Sequence, residues 1–151
     1  MSKIVRSAAD LLYPFILTFG FYIVVHGHLT AGGGFQGGAV IATGIALMFG
    51  ANRYKVISQQ IRGKMLRTCE AVGLIMFIII GLCALIDGKS FLYNWLANAD
   101  WLFGHPVTYG SNTGDLYTAG IIPILNIAIG IEVLGGLSLI ILYMLSGVSE
   151  E

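Results

Sequence analysis

Four long stretches without charge decide what this chain can fold into. Residues 11–28 and 35–51 hold no Asp, Glu, Lys or Arg. Residues 71–86 are equally free of them, and 68–70 extend that stretch toward an interface. The fourth, 119–145, carries a single acid, Glu132. A helix needs roughly 20 residues to cross the hydrocarbon core, within a range of about 17–25. Each stretch fits once interfacial residues are counted. Lipid cannot satisfy backbone amides, so spanning segments must be helices or closed barrels. The apolar runs are continuous rather than alternating, which excludes a barrel. The expected fold is therefore all-α and integral to the membrane: four transmembrane helices, 11–28, 35–51, 68–86 and 119–145, in one domain covering 1–151.

Composition agrees. The chain is 56% hydrophobic and 11% charged, against about 25% charged in a typical soluble domain. So few charges cannot cover a globular surface. An ordinary cytosolic enzyme, a nucleic-acid binder and a disordered segment are all excluded. The expected surroundings are the lipid bilayer, with no nucleic acid among the partners.

The zero net charge hides a segregation. Lys3 and Arg6 precede the first span, and Arg53, Lys55, Arg62, Lys64 and Arg67 fill the second loop. The first loop, 29–34, has no basic residue, and the third, 87–118, has only Lys89 beside Asp87, Asp100 and Asp115. With alternating helices, seven of the eight basic residues fall on one side. Both termini are thus expected in the cytoplasm, in a multi-pass protein of the cell membrane. A cleaved signal peptide is not expected: no small-x-small site follows 11–25, and removal of the first span would spoil the alternation.

Cys69 and Cys83 lie fourteen residues apart on one helix, about 21 Å at 1.5 Å per residue, and cannot bond to each other. No metal-ligand spacing is present. The third loop is long for a compact bundle. Its segment Phe91-Leu92-Tyr93-Asn94-Trp95-Leu96 reads as a short interfacial helix, and Tyr93, Trp95, Trp101, Tyr109 and Tyr117 as an aromatic belt. Residues 110–114, Gly-Ser-Asn-Thr-Gly, read as a turn.

The most distinctive segment is His26-Gly27-His28-Leu29-Thr30-Ala31-Gly32-Gly33-Gly34-Phe35-Gln36-Gly37-Gly38-Ala39. Five glycines in seven residues carry an entropic penalty unless the backbone needs φ > 0 or very close approach. They stand where the chain re-enters the membrane, at the positive end of the second helix. Gly34, Gly38 and Ala42 recur every four residues, a small-residue stripe that admits another helix. Tight packing against a neighbour and an ion or headgroup site are both open readings. The segment is not a phosphate loop, because no Gly-Lys-Ser/Thr follows. His26 and His28 do not share a helix face; they suit either a proton-responsive pair at the outer mouth or plain interfacial hydrogen bonding.

Glu132 stands near the middle of its span. An ionised carboxylate there costs on the order of 3 kcal/mol on insertion scales. It must be protonated, paired, or facing water. Ala128, Gly135 and Gly136 share its face, which points it into a helix–helix contact rather than lipid. No Lys or Arg within a span of this chain can pair with it, so a cationic partner would come from another subunit. Asn126 lies six residues before Glu132 and about 120° around the helix, facing a different neighbour. Pro123 is placed to kink the start of this span.

These residues resemble the MnhB family, the small B subunit of multisubunit Mrp-type sodium/proton antiporters. The family pattern Gly-His-x-x-Pro-Gly-Gly-Gly-Phe-x-Gly-Gly is met by Gly27, His28, Gly32, Gly33, Gly34, Phe35, Gly37 and Gly38, with Ala31 in place of the proline. The likeness continues through Gly120-Ile121-Ile122-Pro123 and from Asn126 to Glu132 and Val133. Gln36 and the wording of 126–133 resemble the archaeal-type variant found in the membrane arms of membrane-bound NiFe hydrogenases and their sulfur-reducing relatives.

The resemblance implies an accessory subunit. Other Mrp-type membrane subunits are the implied partners, and in a respiratory complex a peripheral NiFe or iron–sulfur redox arm as well. It implies a share in sodium translocation, with Glu132, Asn126, His26 and His28 as ion-pathway candidates. Gly32, Gly33, Gly34, Phe35, Gln36, Gly37, Gly38 and Ala42 would form a packing elbow against neighbouring subunits. No cofactor is expected in this chain. A stand-alone antiporter subunit and a purely structural spacer are the alternatives.

Overall fold

A computed structural model describes residues 2–86, 88–97, 107–112, 115–116 and 118–149. Among them are five helices: α1 (Lys3–His26), α2 (Gly34–Ala51), α3 (Tyr54–Gln60), α4 (Gly63–Ile86) and α5 (Ile122–Ser149). Four are long and apolar enough to span a membrane; α3, with seven residues, is not.

The helices start and stop for local reasons. Ser2 caps α1, its hydroxyl accepting from Val5 N at 3.3 Å, which satisfies one of the free amides of the first turn. The helix therefore begins eight residues before the uncharged stretch and carries Lys3, Arg6 and Asp10. Long basic side chains can lie along the helix and reach the headgroups. Likewise α4 begins at Gly63 rather than at residue 68, with Thr68 Oγ1 donating back to Lys64 O at 2.9 Å. Asn52 stops α2, its backbone amide bonding Met48 O.

Small residues set the packing. Gly37 of α2 meets Gly20 and Val24 of α1, while Gly44 meets Ile16 and Tyr13, so α1 and α2 run antiparallel. On another face of α2, Gly34 meets Asn126 and Ile129 of α5, and Gly38 meets Gly130 and Val133, so these two run parallel. Gly73 of α4 meets Glu132 and Ala128, Gly135 of α5 meets Glu70 and Leu66, and Gly63 meets Leu142: this pair is antiparallel. The neighbour order is α1–α2–α5–α4. Lipid tails are as apolar as the side chains, so close backbone contact between small residues holds such helices together.

Two apolar clusters close the ends. One joins Ile45, Phe49, Ile57, Leu66 and Leu142 at the basic end, where the short α3 folds under the bundle. The other joins Ile80, Leu96, Ile121 and Ala128 at the opposite end.

The third loop differs from expectation. Residues 91–97 form turns, not an interfacial helix, and they cap the bundle. Asn94 bridges to the start of α5, donating to Ala119 O at 3.2 Å and accepting from Ile121 N at 2.9 Å. Trp95 Nε1 donates to Ile80 O at 3.1 Å, and Leu96 is buried. Trp95 thus makes a tertiary contact, whereas Tyr109 is exposed. Trp101, Tyr117, Asp87 and Asp100 lie outside the described residues.

Candidate functional site

The glycine elbow joins α1 to α2 and leans on α5. Gly32 has φ +130°, and a Cβ there would lie 2.9 Å from Ile23 Cγ2, so conformation and space both require glycine. Gly34 is tighter: its Cβ would strike the backbone carbonyl oxygen of Asn126. Gly38 repeats the contact one turn on, where a Cβ would lie 2.7 Å from Gly130 O. Ala42 is buried on the same stripe. The stripe is thus taken up by this chain's own α5, not by a neighbouring subunit as expected. Gly37 faces α1 instead, and Phe35 (60% exposed) and Gln36 point outward.

Around this elbow the structure gathers Asn126 and His28. The Asn126 amide sits in the hollow of the turn, where a Cβ on Gly27 would lie 2.8 Å from Nδ2 and one on Gly33 would lie 3.5 Å from Oδ1. Asn126 Nδ2 is buried and has no hydrogen-bond partner. His28 lies beyond the end of α1, and both its ring nitrogens are buried and unpartnered. It lines a cavity of about 350 Å³ together with Leu96, Thr118, Gly120 and Pro123. His26 does not join them. It closes α1 with its ring stacked 4.2 Å from Tyr22 and Nδ1 3.2 Å from Tyr22 O.

Glu132 lies farther along α5, half-buried against α4. A Cβ on Gly73 would lie 2.5 Å from Glu132 N and 2.6 Å from Ala128 O. The same seam holds a second acid that the charge count assigned to the interface. A Cβ on Gly135 would lie 2.6 Å from Glu70 N, and the Glu70 carboxylate leans over Gly136, with Oε1 3.5 Å from where a Cβ would be. Glu70 of α4 and Glu132 of α5 therefore border one helix seam, each with its backbone against a glycine of the other helix. A sequence signal did exist: both acids stand in the pattern Glu-x-x-Gly, 70–73 and 132–135. Toward the basic end of the seam, Arg67 Nη2 donates to Tyr143 OH at 2.7 Å.

Two acidic residues bordering one seam, with an orphaned amide and imidazole toward the elbow, can hold or pass a proton or a small cation. Residues 4–139 match the family described as a domain related to the MnhB subunit of Na+/H+ antiporters. The chain belongs to the MnhB family. One relative, the uncharacterized protein MJ1307 of Methanocaldococcus jannaschii, is 35% identical over 91% of this chain and 50% of its own length. A protein named as antiporter subunit mnhB2 in Staphylococcus epidermidis is 32% identical over 68% of this chain and 72% of its own. Among solved structures, a chain of the membrane-bound sulfane sulfur reductase, an archaeal respiratory membrane complex, superposes with a TM-score of 0.74 at 38% identity. That match covers 95% of this chain and 58% of the other. This MnhB chain thus spans about half the length of the first of these relatives.

Proposed function

We propose that this chain is an accessory subunit of a multisubunit Mrp-type sodium/proton antiporter module, working in the ion-translocating membrane arm of a respiratory complex. The observation that carries this reading is the 38% identity and 0.74 TM-score to a chain of the archaeal sulfane sulfur reductase, over 95% of the present chain. A membrane-bound NiFe hydrogenase is a related setting. Any nickel or iron–sulfur centre would belong to a peripheral arm, and this subunit would hold none. The plasma membrane is its location, with both termini in the cytoplasm, because seven of eight basic residues cluster at one end of the bundle.

The ion path we propose runs along the α4–α5 seam. Glu70 and Glu132 each need protonation, a cation or water at membrane depth. Two acids bordering the same seam can hand on a proton or sodium ion. Asn126 and His28 would extend the polar route toward the elbow. The mnhB2 relatives favour a second reading, a subunit of a stand-alone antiporter. Gentle extraction of the native complex, with mass spectrometry of what co-purifies, separates the two. Iron–sulfur and hydrogenase-like subunits are expected; antiporter subunits alone would assign the second reading, and isolation of the chain by itself would refute both.

A further inference from the structure

We propose that a pocket at the basic end of the bundle, between Arg6 of α1 and Arg53 at the turn from α2 to α3, binds a phosphate-bearing anion. The antiparallel pairing of α1 and α2 brings Arg6 beside the segment where α2 ends at Ala51. There the chain encloses a cavity of about 300 Å³ lined by Arg6, Asn52, Arg53 and Val56. Two arginines from separate elements border one space, and among the described residues no acid lines it. Asp10, one turn beyond Arg6, is exposed and is not part of the wall. The Nε of Arg6 is buried and has no hydrogen-bond partner. A buried, unpaired donor on a permanent cation is costly, and an anion in the cavity supplies the missing acceptor.

The chemistry of the wall selects the anion. Guanidinium groups present donors in a planar fork that suits a tetrahedral phosphate, and they shed water more readily than ammonium. Asn52 Nδ2 donates to Met48 O at 3.3 Å, so this wall is anchored on α2. The cavity lies where α2 leaves its span, the depth of lipid headgroups, and basic pockets between transmembrane helices are used to hold anionic headgroups. The phosphate is therefore expected to arrive on a lipid, although a free phosphate would meet the same donors. This inference needs only the membrane fold and stands apart from the ion path above.

The test uses the intact complex, delipidated in mild detergent and offered phosphatidylglycerol or phosphatidylcholine, with bound lipid read by native mass spectrometry. Wild type should retain phosphatidylglycerol with about tenfold preference, and an Arg6→Gln/Arg53→Gln variant should lose it. An Arg6→Lys/Arg53→Lys variant, which keeps the charge, should retain part of it. Displacement by excess inorganic phosphate would show that the free anion binds as well; persistence of the lipid would identify a lipid-borne phosphate. An unchanged preference in a glutamine variant that elutes and melts like wild type would overturn the proposal. So would loss of a neighbouring subunit with the preference intact, which would give the arginines to a protein contact. Should the double variant fail to assemble, Arg53→Gln alone, at an exposed position, decides: it must weaken the preference.

Discussion

Gly73 on α4 and Glu132 on α5 touch backbone to backbone: a Cβ on Gly73 would lie 2.5 Å from the Glu132 amide nitrogen. One turn away the roles are exchanged, with Gly135 of α5 against the backbone of Glu70. Each acid is thus held beside the other helix's glycine. Two acidic residues border one seam because both helices carry the same Glu-x-x-Gly spacing and run antiparallel.

The glycines of this seam should tolerate no side chain. What a new Cβ meets at Gly73 is backbone on the facing helix, which cannot rotate away, so the helices must part. Gly73→Ala should destabilise by about 1–3 kcal/mol, the scale of overpacking, and Gly73→Leu should prevent α4 from docking. Thermal unfolding of the purified protein reads both; an unchanged midpoint for the leucine variant would mean the seam is looser than described.

Gly34→Leu should be equally disruptive at the other face of α5, because its Cβ direction is blocked by the Asn126 carbonyl. Phe35→Leu, at an outward-facing position, should leave folding intact. A native gel that shows equal assembly of the two variants would remove the elbow's packing role.

Asn94 ties the third loop to the start of α5 through two hydrogen bonds. Asn94→Ala leaves the Ile121 amide without a partner, worth about 1–3 kcal/mol when buried, while Ala119 O keeps its bond from Ile122 N. Asn94→Asp keeps the acceptor for Ile121 N and should fall between. Hydrogen exchange at the Ile121 amide should accelerate in the alanine variant, and normal protection there would contradict the capping role.

Much of this was legible in the residues. Continuous uncharged runs marked four spans, and the small residues Gly34, Gly38 and Ala42 marked a packing stripe. The stripe's partner was not legible, since spacing shows that a helix is wanted but not which one. Glu70 was missed for a related reason: Lys64 and Arg67 made the start of α4 look like loop, although basic side chains can reach the headgroups from within a helix. The cap was missed because Phe91, Trp95 and Leu96 have the composition of an interfacial helix. Its actual conformation depends on Asn94, whose partners lie 25 and 27 residues away.

An ion path along the α4–α5 seam makes sodium-linked proton transport in vesicles containing the assembled complex the decisive measurement, comparing wild type with Glu132→Gln and Glu70→Gln. Both substitutions keep side-chain size and should leave assembly intact on a native gel. Each should reduce transport by about tenfold or more, the effect of losing one charge-assisted contact on the path. Full transport in either correctly assembled variant would take that acid off the path, and full transport in both would leave the subunit as a spacer.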